Sequence, residues 1–228
     1  MQTHAVFTIS LSLVLLAGGC QSQTSPGGST TNNSDMSDAR AAQVCLVTAR
    51  NLDRSGYPDP AIAEYELARE KDPTIKGIAR RLAVLYDRQG NDARALQEYK
   101  NALRESPFDS EVLNDFGYFY IVRNDGRDAE PHLRLAVAKD PSSERAWINL
   151  ATALAEQREY SEAYGAFTRV LSPAQAWSNL GMIQSQQGDY KTAVQSLTKA
   201  AEADPNLRST KVALEWARKK AASSNPAP

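Results

Sequence analysis

The chain is poor in the residues that most chemistry requires. Its 228 residues include two histidines, His4 and His132, and two cysteines, Cys20 and Cys45. That shortage excludes most metal cages and most histidine-based acid–base or nucleophilic catalysis, and no glycine-rich phosphate loop, CxxC or HExxH is present. An excess of one charge is missing as well. Lys and Arg total 26 against 27 Asp and Glu, a net charge of −1 that offers no field for phosphate backbones, so nucleic acid is not an expected partner. Nor is there an apolar run of the ~20 residues that a bilayer-spanning helix needs. With 42% hydrophobic residues, the body reads as soluble and globular.

The N-terminal segment reads as an address. Ala5 to Gly18 form an apolar stretch that suits a signal-peptide core, so residues 1–19 are set apart from the fold. The stretch ends Leu16-Ala17-Gly18-Gly19-Cys20, which resembles the lipobox of bacterial lipoproteins. That resemblance implies that Cys20 is acylated, with a palmitate among its lipids, and becomes the new N-terminus. The other reading is an ordinary secretory signal cleaved nearby. Residues 20–36 are rich in Ser, Thr, Asn and Gly, and read as a flexible tether with a reach of roughly 22 Å. By the same resemblance, Gln21 in place of Asp favours the outer membrane, and the protein is expected in the bacterial cell envelope, on its periplasmic face.

Beyond the tether one motif repeats. Ala61-x3-Tyr65-x2-Ala68-x4-Pro73 recurs 34 residues later from Ala95, again from Ala129, and without the proline from Ala163. A fifth copy starts at Ala193, after only 30 residues. Upstream of the anchors runs a second pattern, as in Trp147-x2-Leu150-Ala151-x2-Leu154 and Leu113-x2-Phe116-Gly117-x2-Tyr120. These residues are similar to the tetratricopeptide repeat superfamily. The resemblance implies an all-α, right-handed superhelical solenoid of about five helix-turn-helix repeats, at 42–75, 76–109, 110–143, 144–173 and 174–207. A capping helix at 208–222 and a disordered tail at 223–228 complete the expected TPR chain.

The residue types explain the pattern. Small residues at the eighth and twentieth positions of a repeat let its two helices approach, and large ones at the fourth, seventh, eleventh and twenty-fourth fill the space between them. Any larger residue at Gly117, Gly181 or Ala193 is expected to force a pair apart. Asp72-Pro73, Ser106-Pro107, Asp140-Pro141 and Asp204-Pro205 end the second helices, because a residue before proline avoids the helical region. Gly56, Gly90 and Gly188 fall in turns that favour positive φ. In the fourth repeat Val170-Leu171-Ser172-Pro173 replaces a stretch four residues longer, either a local bend with a function or a tolerated deletion.

No enzyme site emerges from these residues, and none for a metal, a cofactor or a small-molecule substrate. His132 reads as an ordinary inter-helix or surface histidine, and Cys45 as a small core hydrophobe. By the resemblance, a groove lined by the first helix of each repeat takes a protein or peptide segment. The positions implied are Arg80, Arg81, Asn114, Asp115, Tyr118, Ile121, Asn149, Asn179 and Met182. Asn149 and Asn179 either form a ladder of amides on an extended peptide or are consensus asparagines without a ligand. The carboxylate clamp of chaperone adaptors wants Lys and Asn at the fifth and ninth positions of one repeat, whereas the second repeat has Arg80 and Val84. Tyr118, Ile121 and Val122 would form an apolar patch, or Val122 packs on the next repeat. Val112-Leu113-Asn114-Asp115-Phe116-Gly117-Tyr118 resembles a stretch of the pilotins, which implies a pilus assembly or secretion role as the alternative to a general adaptor.

Overall fold

In the computed structural model, residues 31–223 are described, with side chains from residue 37 onward. The expected signal peptide, Cys20 and most of the tether lie outside the described residues, as does 224–228 of the tail. Eleven helices follow one another, with no strand among the described residues: α1 (Thr31–Arg54), α2 (Pro58–Lys71), α3 (Ile78–Arg88), α4 (Asp92–Glu105), α5 (Ser110–Ile121), α6 (Gly126–Lys139), α7 (Glu144–Glu156), α8 (Tyr160–Phe167), α9 (Pro173–Gln186), α10 (Tyr190–Ala203) and α11 (Arg208–Ser223). They pair as five hairpins followed by the single helix α11.

The helix ends follow from the residues placed there. Asn91, Asp109, Asp125, Ser143, Ser172 and Asp189 each accept a backbone N–H at the start of a helix, which satisfies donors that have no intrahelical partner. Asp72, Asp140 and Asp204 leave the helical region before proline, and their carboxylates then accept the N–H of Thr74, Ser142 and Asn206 two residues on. That turn lets one hairpin follow the last in the same way each time.

Within a hairpin, alanine at the twentieth position is shut off from water in all five copies: Ala61, Ala95, Ala129, Ala163 and Ala193 are each 0% exposed. Gly117 permits the closest approach. A Cβ there would stand 2.4 Å from Leu133 Cγ, and at Gly181 one would stand 2.6 Å from Leu197 Cγ. The turn glycines 56, 90 and 188 do take positive φ, and Asn124 and Arg158 do so in the two repeats without glycine there.

Two features go beyond the sequence reading, and a third follows it. The first helix begins at Thr31, inside the segment taken as tether. Residues 31–36 contain neither Gly nor Pro, and extending a helix already nucleated costs far less than starting one. Gly126 has a packing role, since a Cβ there would meet the Ala153 carbonyl oxygen at 2.5 Å. The shortened fourth repeat shows up as α8, with 8 residues where α2, α4, α6 and α10 have 14. Ser172 and Gln175 close a reciprocal capping box that starts α9 directly after the loss.

The stacking sets the shape. The first helices α3, α5, α7, α9 and α11 bring Cα atoms within 8 Å of the next in line, whereas no second helix does so with its counterpart. The first helices therefore form the inner row of a curved stack, and their outward-pointing faces line its concave side. One junction breaks the rule: no Cα of α1 comes within 8 Å of α3.

Candidate functional site

Along the inner row, adjacent helices are stitched by side chains about 35 residues apart. Arg80 Nε donates to Asp115 Oδ2 at 2.8 Å, and a second arm of Arg80 meets Glu111. Asn149 Nδ2 donates to Asn114 Oδ1 at 3.0 Å, while Asn114 passes a weaker bond to Asp115 at 3.3 Å. Farther along, Thr210 Oγ1 donates to Ser178 Oγ at 2.9 Å, both fully enclosed. Arg123 adds a further tie between the second and third repeats, to Asp87 at 2.8 Å and to Asp92, with its guanidinium 3.6 Å from the Phe119 ring centre.

Four of the expected groove residues are thus spent on the scaffold. Asn114 is 2% exposed and Ile121 9%, so neither presents a surface to a ligand. Asn114 is drawn inward by its bond from Asn149, and Ile121 by the apolar cluster it shares with Leu133 and Leu150. Arg80 and Asp115 form an ion pair with side chains 19% and 12% exposed, to which Arg145 adds a third charge at 3.4 Å. Asn149 keeps its carbonyl oxygen available, but its amide is taken.

The remaining positions do face outward. Tyr118, Val122 and Met182 are exposed, at 49%, 49% and 39%, and Arg81 is exposed as well. Asn179 is half-buried, on the same row. Two hollows extend this face. Around the N-terminal end of α3, reaching from α1 to the α4–α5 turn, lies a cavity of about 360 Å³ lined by Arg50, Arg54, Tyr65 and Arg81 and by the carboxylates of Asp53, Glu105 and Asp109, among others. Between α9 and α11 lies one of about 550 Å³, lined by Met182, Val212, Ala213 and Trp216 with three polar neighbours. Tyr65, taken for core filling, is so placed at 1% exposure, but sequence reasoning missed the exposed apolar face of the cap. Val212 and Trp216 stand at the fifth and ninth positions of a copy beginning at 208, which is the signal that would have found them.

Two titratable groups lie apart from the groove. His132 packs on the rings of Phe116 and Tyr120, and burial pushes its pKa down, which keeps it neutral. Glu156 is raised to about 7 by burial first and by Asp125 second, and its Oε2 has no hydrogen-bond partner. Cys45 is buried at 2% exposure among Leu46, Ala49 and Tyr65, as a core residue would be. Among the described residues, no three His, Cys, Asp or Glu side chains gather as a metal site would require.

Sequence models described as tetratricopeptide repeat match residues 46–110, 116–174 and 174–207. No curated protein matches the chain by sequence. Among solved structures, the chain is similar to YrrB, described as a TPR protein with an unusual peptide-binding site, at 21% identity and a TM-score of 0.61 over 76% of this chain and 92% of that one. PilW, described as a widely conserved type IV pilus biogenesis factor, is 19% identical with a TM-score of 0.59, over 82% of this chain and 94% of that one. MamA from Desulfovibrio magneticus RS-1 is 19% identical with a TM-score of 0.62, over 73% and 97% of the two chains. At these identities the likeness is one of fold.

Proposed function

The chain belongs to the tetratricopeptide repeat family, a scaffold for contacts between proteins, and on that premise we propose that it is a non-enzymatic, membrane-tethered periplasmic adaptor. It holds a protein or peptide segment in its concave groove. The observation that carries this reading is the inner row itself: five helices joined in line, of which α3, α5 and α9 carry Arg81, Tyr118, Asn179 and Met182, with a hollow towards each end. Tyrosine and other rigid aromatic side chains are common anchors in protein interfaces. Acylation at Cys20 supplies the tether, and Gln21 supports the outer membrane as its site.

A photo-crosslinking amino acid at Tyr118 or Met182, in the full chain in its native envelope, tests the groove. The expected result is a discrete adduct from both positions and none from Arg127, on a second helix; equal yield from Arg127 contradicts the reading. Labelling with an alkyne palmitate, lost on Cys20→Ser together with membrane retention, tests the anchor.

A second reading is assembly of an outer-membrane secretin or pilus, in the manner of a pilotin. It is favoured by the likeness to PilW, which covers 82% of this chain. Here the adduct is a secretin or pilus subunit, and deletion of the protein changes secretin multimerisation.

A further inference from the structure

The hollow around the N-terminal end of α3, between α1 and the α4–α5 turn, holds an uncommon combination of charge and an unused buried donor. Tyr65, from α2, is 1% exposed, lines the cavity, and its hydroxyl has no hydrogen-bond partner. A buried hydroxyl without a partner is costly, and native structures keep few of them. Asp53, Arg81, Arg50 and Arg54 line the same cavity close enough to act on the phenol electrostatically, Asp53 most strongly and against the three arginines. Among the described residues none of the three makes an ion pair, while their neighbours are committed elsewhere. Asp53 lies 3.6 Å from Arg88, Arg80 is held by Asp115, Glu105 accepts the Gly77 N–H, and Asp109 caps α5. Lys76 adds a further positive charge at the rim.

We propose that this hollow is a carboxylate-recognition site, in which Arg50, Arg54 and Arg81 take acidic side chains of a peptide segment lying in the groove and the Tyr65 hydroxyl donates to the deepest one. The proposal rests on the groove reading and names the chemistry of its occupant. Charge complementarity is the argument: three guanidinium groups without partners suit carboxylates, which they bind in forked pairs. The volume of about 360 Å³ accommodates side chains rather than a folded domain. As the arginine side chains swing onto the ligand, they uncover the phenol beneath them. The three arginines come from α1 and α3, and the hydroxyl from the second helix α2, in a hollow whose far wall is the α4–α5 turn.

The test uses the purified full chain in detergent and a fluorescein-labelled twelve-residue peptide with four glutamates and both ends blocked. Its glutamine counterpart is the control. The glutamate peptide is expected to bind at least tenfold more tightly. The triple variant Arg50→Gln, Arg54→Gln, Arg81→Gln loses that preference, and Tyr65→Phe weakens binding severalfold with an unchanged circular dichroism spectrum. Lys211→Gln, Arg218→Gln, Lys219→Gln, which removes the same charge from α11, leaves binding intact. Equal binding of the two peptides, or equal loss in the α11 variant, overturns the proposal. A third peptide without glutamate but with a free C-terminal carboxylate separates chain ends from side chains; if it alone binds, the assignment to side chains is wrong. Adducts at Tyr118 together with indifference to the three arginines would leave the adaptor standing and remove only its acidic specificity.

Discussion

The junction of α1 with α3 and that of α3 with α5 occupy the same place in successive repeats, yet the first is open and the second closed. At the register where Arg80 meets Asp115, the earlier pair is Leu46 and Arg81. Leucine offers Arg81 no acceptor, so the guanidinium stays exposed beside a cavity, and α1 meets α3 instead through apolar packing and the Asp53–Arg88 ion pair at 3.6 Å. Where the pair is complementary, as with Asn114 and Asn149, the inner helices close and the polar groups become structure. One cross-repeat pair thus separates a stretch whose polar groups are spent on the scaffold from one where, among the described residues, Arg81 is left unpaired.

Substitutions can break or sharpen that contrast. The largest effect is expected from the closed region, at Gly117→Val. Its Cβ would fall 2.4 Å from Leu133, a residue with 0% exposure and nowhere to move. Overpacking of this kind costs about 2–3 kcal/mol, read as a lower denaturation midpoint in urea. Next comes Arg80→Ala, which leaves the Asp115 carboxylate, 12% exposed, with Arg145 at 3.4 Å and the Asn114 amide N–H at 3.3 Å. Losing one partner of an enclosed ion pair is expected to cost about 2 kcal/mol here, whereas Arg81→Ala, at the open junction, should stay within about 0.5 kcal/mol in the same titration.

The two asparagines sharpen the contrast further. Asn149→Ala strands the buried Asn114 Oδ1 acceptor and should destabilise by about 1–2 kcal/mol, while Asn179→Ala, which strands no partner, should change stability by a few tenths at most. Thermal melts of the two single variants measure the difference. At the far side of the α6–α7 packing, Glu156 predicts a smaller, pH-dependent effect. Its folded pKa of about 7 lies above the ordinary value of 4.5, so the folded state keeps its proton while the unfolded state gives it up. Stability from this group is therefore present at low pH, falls as pH rises through that interval, and is flat above it. Glu156→Gln should gain about 1 kcal/mol over the parent at pH 8, discounted for the part of the carboxyl that faces water, and nothing at pH 4.

Much of this architecture is legible in the sequence because small, large and proline positions recur with a fixed period, so each copy checks the others. The recurrence places Ala61, Ala95, Ala129, Ala163 and Ala193 in the core and ends the second helices at Asp-Pro or Ser-Pro. The groove is less legible. Reading each first helix alone assigns Asn114 and Arg80 to the surface, whereas their fate depends on the residue 35 positions later, Asn149 or Asp115. A search for complementary pairs at that offset would have found both. Ile121 closes on a cluster formed largely by the next repeat, and the Tyr65 hydroxyl is left without a partner inside the core around α1–α3. Neither fact is carried by a periodic pattern. The early start of α1 at Thr31 is a matter of helix propagation, which polar composition alone does not stop.

Hydrogen–deuterium exchange of the full chain, with and without the four-glutamate peptide, puts the open junction to the test most directly. The account predicts that protection rises in α1 and in the first turns of α3 when peptide is added, while α5 and α7, already joined through Asn114 and Asn149, keep the protection they had. Protection gained at α5 and α7 with none at α1 and α3, or no gain anywhere under saturating peptide, would contradict it.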